Sequence, residues 1–533
     1  MQPKFKVLPL RRAAILAVLL LLCRIAAAEE LASSTTVFVK DIKLRGDNIV
    51  PQPVLDRLLP RYTNRTVSAE ELLDLAQQLT AYLIEQGYIN SGVILPDQKI
   101  DDGTIYLRVV AGRVARVVVT GSKHLSSRYV ASRLGLPSGE PFNMNDAVRR
   151  LQLLERDPRI KKLNAELKPS VERGSALLNV DIEEARAYGA SVGFDNHISP
   201  NVGAKEAVVD LYHLNLLGFG DSASVFYQRA EGFSGGSVAY SIPLNARDTR
   251  LSVSFNRNTS RIVSEPFAQL DIEGTTTRYG VGIRQPLIDS LRSELGVGIG
   301  LQRERVDSFL LGEPFSFSVS DENGRSQVTV VQFMQDWVLR SPERVVALRS
   351  SFNLGIDALQ ATVGGEGDGR FLEWLGQGEL LQKWSWLDST FGVKLNVHLS
   401  NDTLPSYRKF ALGGANSVRG YRENLITRDN GYLVSLAWTV PLFRAPISWL
   451  GGAQADGRVT VSPFADYGYG WDHVEPAGEH LDLASIGFDI QWRMGRNSSV
   501  DLQLAKGLIE REIPAYDKVL QDDGVHFGIR LGF

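Results

Sequence analysis

A chain of 533 residues is too long for one ordinary hydrophobic core, which predicts at least two units or one very large sheet. Charged residues make up 22% and the net charge is −3, so no excess of lysine and arginine exists to hold a polyanion, and nucleic acid is not expected as a partner. The 49 glycines are spread through the C-terminal two thirds rather than gathered in one block, as turns and kinked strands require.

Residues 1–28 read as a secretory leader. Lys4, Lys6, Arg11 and Arg12 precede the apolar run Ala13 to Cys23, and Ala26, Ala27 and Ala28 form a small-x-small cleavage site before Glu29. The run falls well short of the ~20 residues of a membrane-spanning helix. Leu22 before Cys23 is too large for a lipid-attachment site. Cleavage after Ala28 removes the sole cysteine, and with it any disulfide or thiolate chemistry. No later apolar stretch is long enough for a spanning helix, so an exported chain of this kind enters a membrane as a closed barrel.

Two segments then repeat one order of elements, which predicts small α+β domains at 29–112 and 113–185. The first has a strand at Val37 to Leu44, a turn at Gly46 and Asp47, a helix from about Pro53, and a longer helix from Ser68 to Glu85. Ser68 and Glu71 have capping-box spacing, with Leu72, Leu75, Ala76, Leu79 and Leu83 on one face. Strands follow at Gly92 to Leu95 and Thr104 to Val110. The second copy runs from a strand at Val114 to Thr120 through helices near Ser126 to Leu134 and Asn143 to Glu155, and closes with strands near Ile160 to Leu167 and Ala176 to Ile182.

From 186 to 533 strict alternation dominates. Phe391, Val393, Leu395, Val397 and Leu399 interleave with polar or small residues, as do Ile486, Phe488, Ile490 and Trp492, and Val525, Phe527, Ile529, Leu531 and the terminal Phe533. Such runs approach the ~10 residues of a tilted membrane strand and exceed the ~5 of a soluble sandwich strand. Roughly sixteen of them can be traced, an even number as bacterial outer-membrane barrels have.

A long segment, about 401–430, interrupts the alternation and is expected to be functional. It contains "LGGANSVRGY", Leu412 to Tyr421, in which Gly413, Gly414 and Gly420 permit a tight hairpin able to enter a pore. Inside a lumen Arg419 needs a carboxylate that accepts its fork. In Val459 to Trp471, alternation turns Thr460, Ser462, Phe464, Asp466 and Gly468 inward, which makes Asp466 the expected partner and Asp489, on the next strand, the reserve.

The run Val418 to Tyr421 ("VRGY"), the F-x-D-x-G of Phe464, Asp466 and Gly468, and Phe533 resemble the superfamily of outer-membrane assembly and secretion barrels that carry periplasmic POTRA domains. The stretch "GYINSGVILPDQKIDDGTIYLRVVAGRV", Gly87 to Val114, resembles more narrowly the first POTRA domain of two-partner secretion transporters, the pores for haemagglutinins and haemolysins. The resemblance implies two POTRA domains before a sixteen-stranded barrel in the outer membrane of a Gram-negative bacterium, inserted by the barrel-assembly machinery. It implies a lumenal loop locked by Arg419 and Asp466, with Val418, Gly420 and Tyr421 shaping its tip. It also implies that the passenger is an unfolded exoprotein, adhesin or cytolysin. The edge Gly92, Val93, Ile94 and Leu95 is the expected docking strand, since an extended chain adds to a sheet edge through main-chain bonds. About eight residues separate Ala28 from Val37, too few for a plug helix with a linker. The alternative function is assembly and insertion of other barrels, although Tyr432 to Val440 lacks the acid common in that branch. His197, His213, His398 and His473 have no zinc-ligand spacing, and neither a G-x-S-x-G elbow nor a nucleotide motif occurs, so no enzymatic activity, cofactor or metal is expected.

Overall fold

The computed structural model describes residues 36–533 except 101, 137–138, 171–173, 319–322, 366, 448–455, 474–480, 496 and 512–517. The leader expected over 1–28, with Cys23, and the stretch on which the plug-helix expectation rests lie outside the described residues. The chain forms two compact units, one N-terminal and one that contains the barrel together with Ser122–Tyr129 and Arg156–Lys161.

In the N-terminal unit, Thr104–Val110 is the central strand of a three-stranded sheet, parallel to Asp41–Gly46 and antiparallel to Gly92–Ile94. The helix Ala69–Glu85 starts where Ser68 Oγ accepts from the Glu71 amide and the Glu71 carboxylate accepts from the Ser68 amide. This reciprocal cap satisfies two donors that a helix start leaves orphaned. The helix buries Leu72, Leu75, Ala76, Leu79 and Leu83 in one core with Ile42, Ile105 and Leu107, each large side chain contributing about 1.5–3 kcal/mol.

The single strand expected over Val37 to Leu44 is two. Thr36–Val39 pairs with Arg65–Ser68, whereas Asp41–Gly46 joins the main sheet. The break falls at Lys40, where the Gly103 carbonyl accepts from the amides of both Lys40 and Asp41, at 2.7 and 3.3 Å. The second module repeats the plan with a sheet ordered Arg113–Thr120, Ser175–Glu184, Ile160–Pro169, and helices Ser127–Leu134 and Met144–Glu155.

A charged clasp joins the modules. Asp47 accepts from the Ala111 amide at 2.9 Å and from Arg113 Nη2 at 2.5 Å. The Arg113 hydrogen bond, with the Ala111 amide behind it, holds the Asp47 carboxyl below its ordinary range. A folded-state value depressed below the unfolded one, about 3.9, means that the clasp stabilises above that pH and is lost as pH falls through the folded value. Protection of the Ala111 amide relative to its intrinsic exchange rate should therefore stay high near neutrality and fall below about pH 4, whereas in Asp47→Asn it should be low throughout. Equal protection in both proteins would contradict the clasp.

Sixteen strands, counted among the described residues, close the barrel. In order they are Tyr188–Asp195, Glu206–His213, Ser222–Ala230, Phe233–Pro243, Arg250–Arg261, Glu273–Asp289, Ser293–Leu310, Arg325–Arg340, Arg344–Ile356, Leu372–Trp384, Ser389–Ser400, Asn430–Arg444, Arg458–Trp471, Leu481–Met494, Ser498–Gly507 and Val525–Gly532. All neighbours are antiparallel, and the last pairs with the first from Gly528↔Asp195 to Gly532↔Ser191. Closure leaves no open edge, the condition for spanning lipid. Outward positions such as Phe194, Tyr227, Phe255, Ile299, Ile486 and Phe488 are exposed, and between them residues face the lumen. An even number of strands puts both barrel termini at one rim, where Ala190 and Phe533 exchange backbone hydrogen bonds. The connection between strands eleven and twelve therefore starts from the opposite rim.

Candidate functional site

That connection, between Ser400 and Asn430, folds into the bore. A turn at Ser406–Arg408 leads into a short hairpin, Phe410–Leu412 against Ile426–Arg428. Leu412, Val418, Tyr421 and Ile426 form an apolar cluster with Leu433 and Leu483 of strands twelve and fourteen. Two glycines make the tip possible. Gly414 has φ +105°, and a Cβ there would sit 2.0 Å from the Glu423 carboxylate. Gly420 has φ +87°, and its Cβ would sit 2.9 Å from that of Ala505 on strand fifteen. Both backbones occupy the left-handed region that side chains resist.

Arg419 lies on Asp466 as a two-pronged fork, with Nε to Oδ2 and Nη2 to Oδ1 both at 2.7 Å. The Arg419 amide adds a third bond to Oδ2 at 3.1 Å, and Ser435 Oγ donates to Oδ1 at 2.6 Å. The guanidinium carbon stands 3.3 Å from the Phe464 ring centroid, close enough for cation–π attraction. Asp466 is 3% and Arg419 9% exposed, so each charge depends on the other. The F-x-D-x-G pattern now has a physical reading. Phe464 supports the guanidinium, Asp466 takes the fork, and Gly468 leaves space, because a Cβ there would meet Leu412 and Val418 at 2.7 and 2.8 Å.

The rest of the tip is also fastened. The Tyr421 hydroxyl lies 2.7 Å from the Ala484 carbonyl oxygen and accepts from the Ile509 amide at 3.1 Å. Arg422 forks onto Asp522 at 2.5 and 2.8 Å. Asp489, the reserve partner, is not the acceptor of the Arg419 fork, and its Oδ1 has no hydrogen-bond partner among the described residues.

Sequence reasoning missed the anchor at the loop's base. Arg408 Nη2 meets Glu373 of strand ten at 2.5 Å, and Nη1 reaches Glu304 of strand seven at 3.4 Å. Glu304 also takes Arg278 at 2.5 Å, and His398 Nε2 stands 3.2 Å from Glu373 Oε1. Strand parity turns both glutamates inward, but it carries no sign of which loop cation they meet.

In the N-terminal unit the expected docking edge is partly closed. Val93 is 6% exposed and belongs to the core, and its amide donates to Thr80 Oγ1 at 2.9 Å. Leu95 packs beside that core. Ile94, 49% exposed, is the side chain of this edge that faces out.

A closed sixteen-strand barrel with an arginine loop fixed in its bore, preceded by a POTRA module, defines an outer-membrane protein of the POTRA-barrel class. The family model described as Haemolysin secretion/activation protein ShlB/FhaC/HecB matches residues 174–492, and that of the POTRA domain, ShlB-type, matches 37–112. The chain belongs to this haemolysin secretion/activation family, whose members are outer-membrane transporters rather than enzymes. It is 22% identical over 487 residues to the heme/hemopexin transporter protein HuxB of Haemophilus influenzae, covering 87% of this chain and 82% of the relative. It is 24% identical over 442 residues to the outer membrane transporter CdiB of Escherichia coli, covering 76% and 70%. The solved structure of CdiB from Escherichia coli matches with a TM-score of 0.71 at 18% identity, covering 95% of this chain and 92% of that one. BamA from Haemophilus ducreyi lacking POTRA domains 1–3 shares the fold with a TM-score of 0.57 at 16% identity, covering 94% and 100%. The POTRA domains of such proteins are periplasmic, which puts Phe533 at the periplasmic rim and the origin of the lumenal loop at the cell surface.

Proposed function

We propose that the barrel exports an unfolded exoprotein, adhesin or cytolysin, that the POTRA domains engage in the periplasm. The observation that carries this reading is the Arg419–Asp466 fork, a satisfied ionic contact that holds a loop in the bore. Beside it the lumen keeps a cavity of about 960 Å³, lined by Arg284, Asp336, Arg349, Gln377, Glu379 and Lys394. The wall mixes these charged and polar side chains with apolar ones such as Met334 and Leu375, so an extended chain meets no continuous surface of one kind on which to stall. Release of the tip would join this space to the cell surface, and folding of the passenger outside would supply the drive. The domain divisions at 112 and 185 serve the same reading, with both modules available to a passenger.

Docking at Gly92, Val93, Ile94 and Leu95 requires the incoming strand to displace Thr80 from the Val93 amide. A photocrosslinker at Ile94 should then capture the exoprotein during export in cells. Capture no stronger than from Leu73, also exposed, would rule this edge out. Deleting the chain should remove one large protein from the medium, whereas loss of many outer-membrane barrels at once would favour the assembly function instead.

A further inference from the structure

Near the cell-surface rim, the outer face of the barrel changes character along strands five to eight. Phe255, Tyr279, Leu301 and Phe333 are exposed there as part of the lipid-facing band. The register fixes what lies above them. Phe255 opposes Tyr279, which opposes Arg303. The next outward row is Arg257, Thr277, Arg305 and Gln327, and the following one is Thr259, Thr275, Asp307 and Arg325. Opposed residues share a face and faces alternate, so all four arginines point away from the lumen. Each two-residue step along a tilted strand rises about 5 Å, which carries Arg257 and Arg305 one step, and Arg325 two steps, beyond the row of Phe255, Tyr279 and Arg303 toward headgroup depth.

These cations are arranged rather than scattered. Asp307 accepts from Arg305 Nε at 2.7 Å and Nη2 at 2.8 Å, and from Arg325 Nε at 3.0 Å, which holds two guanidiniums side by side. Arg303 donates to Gln327 at 2.9 Å and Gln360 at 3.2 Å, while its Nε has no acceptor among the described residues. In these rows four arginines face one carboxylate. At the same rim, strands twelve and thirteen carry Tyr432, Tyr467, Tyr469 and Trp471 instead, the ordinary interfacial belt.

The geometry points to a binding site for the phosphate groups of an outer-leaflet lipid, formed by Arg257, Arg303, Arg305 and Arg325. Guanidinium forks match phosphate oxygens two at a time, and cations beside a membrane surface are favoured where the headgroups are anionic. The inference is independent of the export reading, because it concerns the lipid-facing wall.

The test uses the full mature chain in phosphatidylcholine bilayers, with and without diphosphoryl lipid A, and reads the thermal midpoint of the heat-modifiable barrel. The midpoint should rise with diphosphoryl lipid A and not with its dephosphorylated form. The Arg303→Ala/Arg305→Ala/Arg325→Ala variant should need at least about tenfold more lipid for the same rise. The corresponding Arg→Lys triple, which keeps charge but loses the forks, should fall between, and it preserves the test if the alanine triple fails to fold. Equal shifts from phosphorylated and dephosphorylated lipid, or an undiminished shift in both triples, would overturn the site. A full shift from inorganic pyrophosphate without lipid A would overturn the assignment to lipid.

Discussion

Arg419→Ala should impair export while leaving membrane insertion near normal, because a tip that cannot re-seat has lost the contact whose making and breaking gates the bore. Without the guanidinium, Asp466 is a carboxylate at 3% exposure whose remaining side-chain partner is Ser435, and removing one member of a buried pair costs about 3–5 kcal/mol. The tip, no longer held, should leave the wall, seen as raised conductance in planar bilayers. Arg419→Lys keeps the charge but loses the fork and should fall between. Arg419→Met combined with Asp466→Leu separates gate from scaffold. Stability should recover because no charge is stranded, yet export should stay low because the releasable contact is gone. Normal secretion by Arg419→Ala would remove the gating role and leave a structural ion pair.

Arg408→Ala should loosen the whole loop. It leaves Glu304 and Glu373, 2% and 3% exposed, to Arg278 and to His398 respectively, so Glu373 loses its permanent cation. A cost of about 3–5 kcal/mol is expected again, but the readout differs. Hydrogen exchange should accelerate across Phe410–Leu412 and Ile426–Arg428, the hairpin above the anchor, while in Arg419→Ala those amides should stay protected. If the loop moves as one body, the two substitutions together should cost less than their sum. Additive losses would mean that tip and base respond independently.

The barrel was legible in the sequence because lipid outside and water inside impose a two-residue period that local folding obeys. The same parity put Asp466 in the lumen, and the glycines around Arg419 told of a loop able to reach it. Arg408 gave no such signal. Its partners lie on strands seven and ten, and only the closed barrel brings Glu304 and Glu373 near the loop's base. The break at Lys40 and the short strand Arg65–Ser68 were missed for a related reason: four residues are too few to show a period, and a backbone carbonyl, Gly103, decides where the chain bends. At Val93 apolarity marked the core more than a docking edge.

The loop grips strands seven and ten through Arg408 and strands thirteen to fifteen through Arg419, Tyr421 and Gly420. It is thus a cross-tie as well as an obstacle. A hollow cylinder of hydrogen-bonded ribbons resists stretching around its circumference far better than flattening, and a tie between distant arcs fixes its cross-section. When the tip lets go, the bore is freed and the wall becomes softer at the same moment.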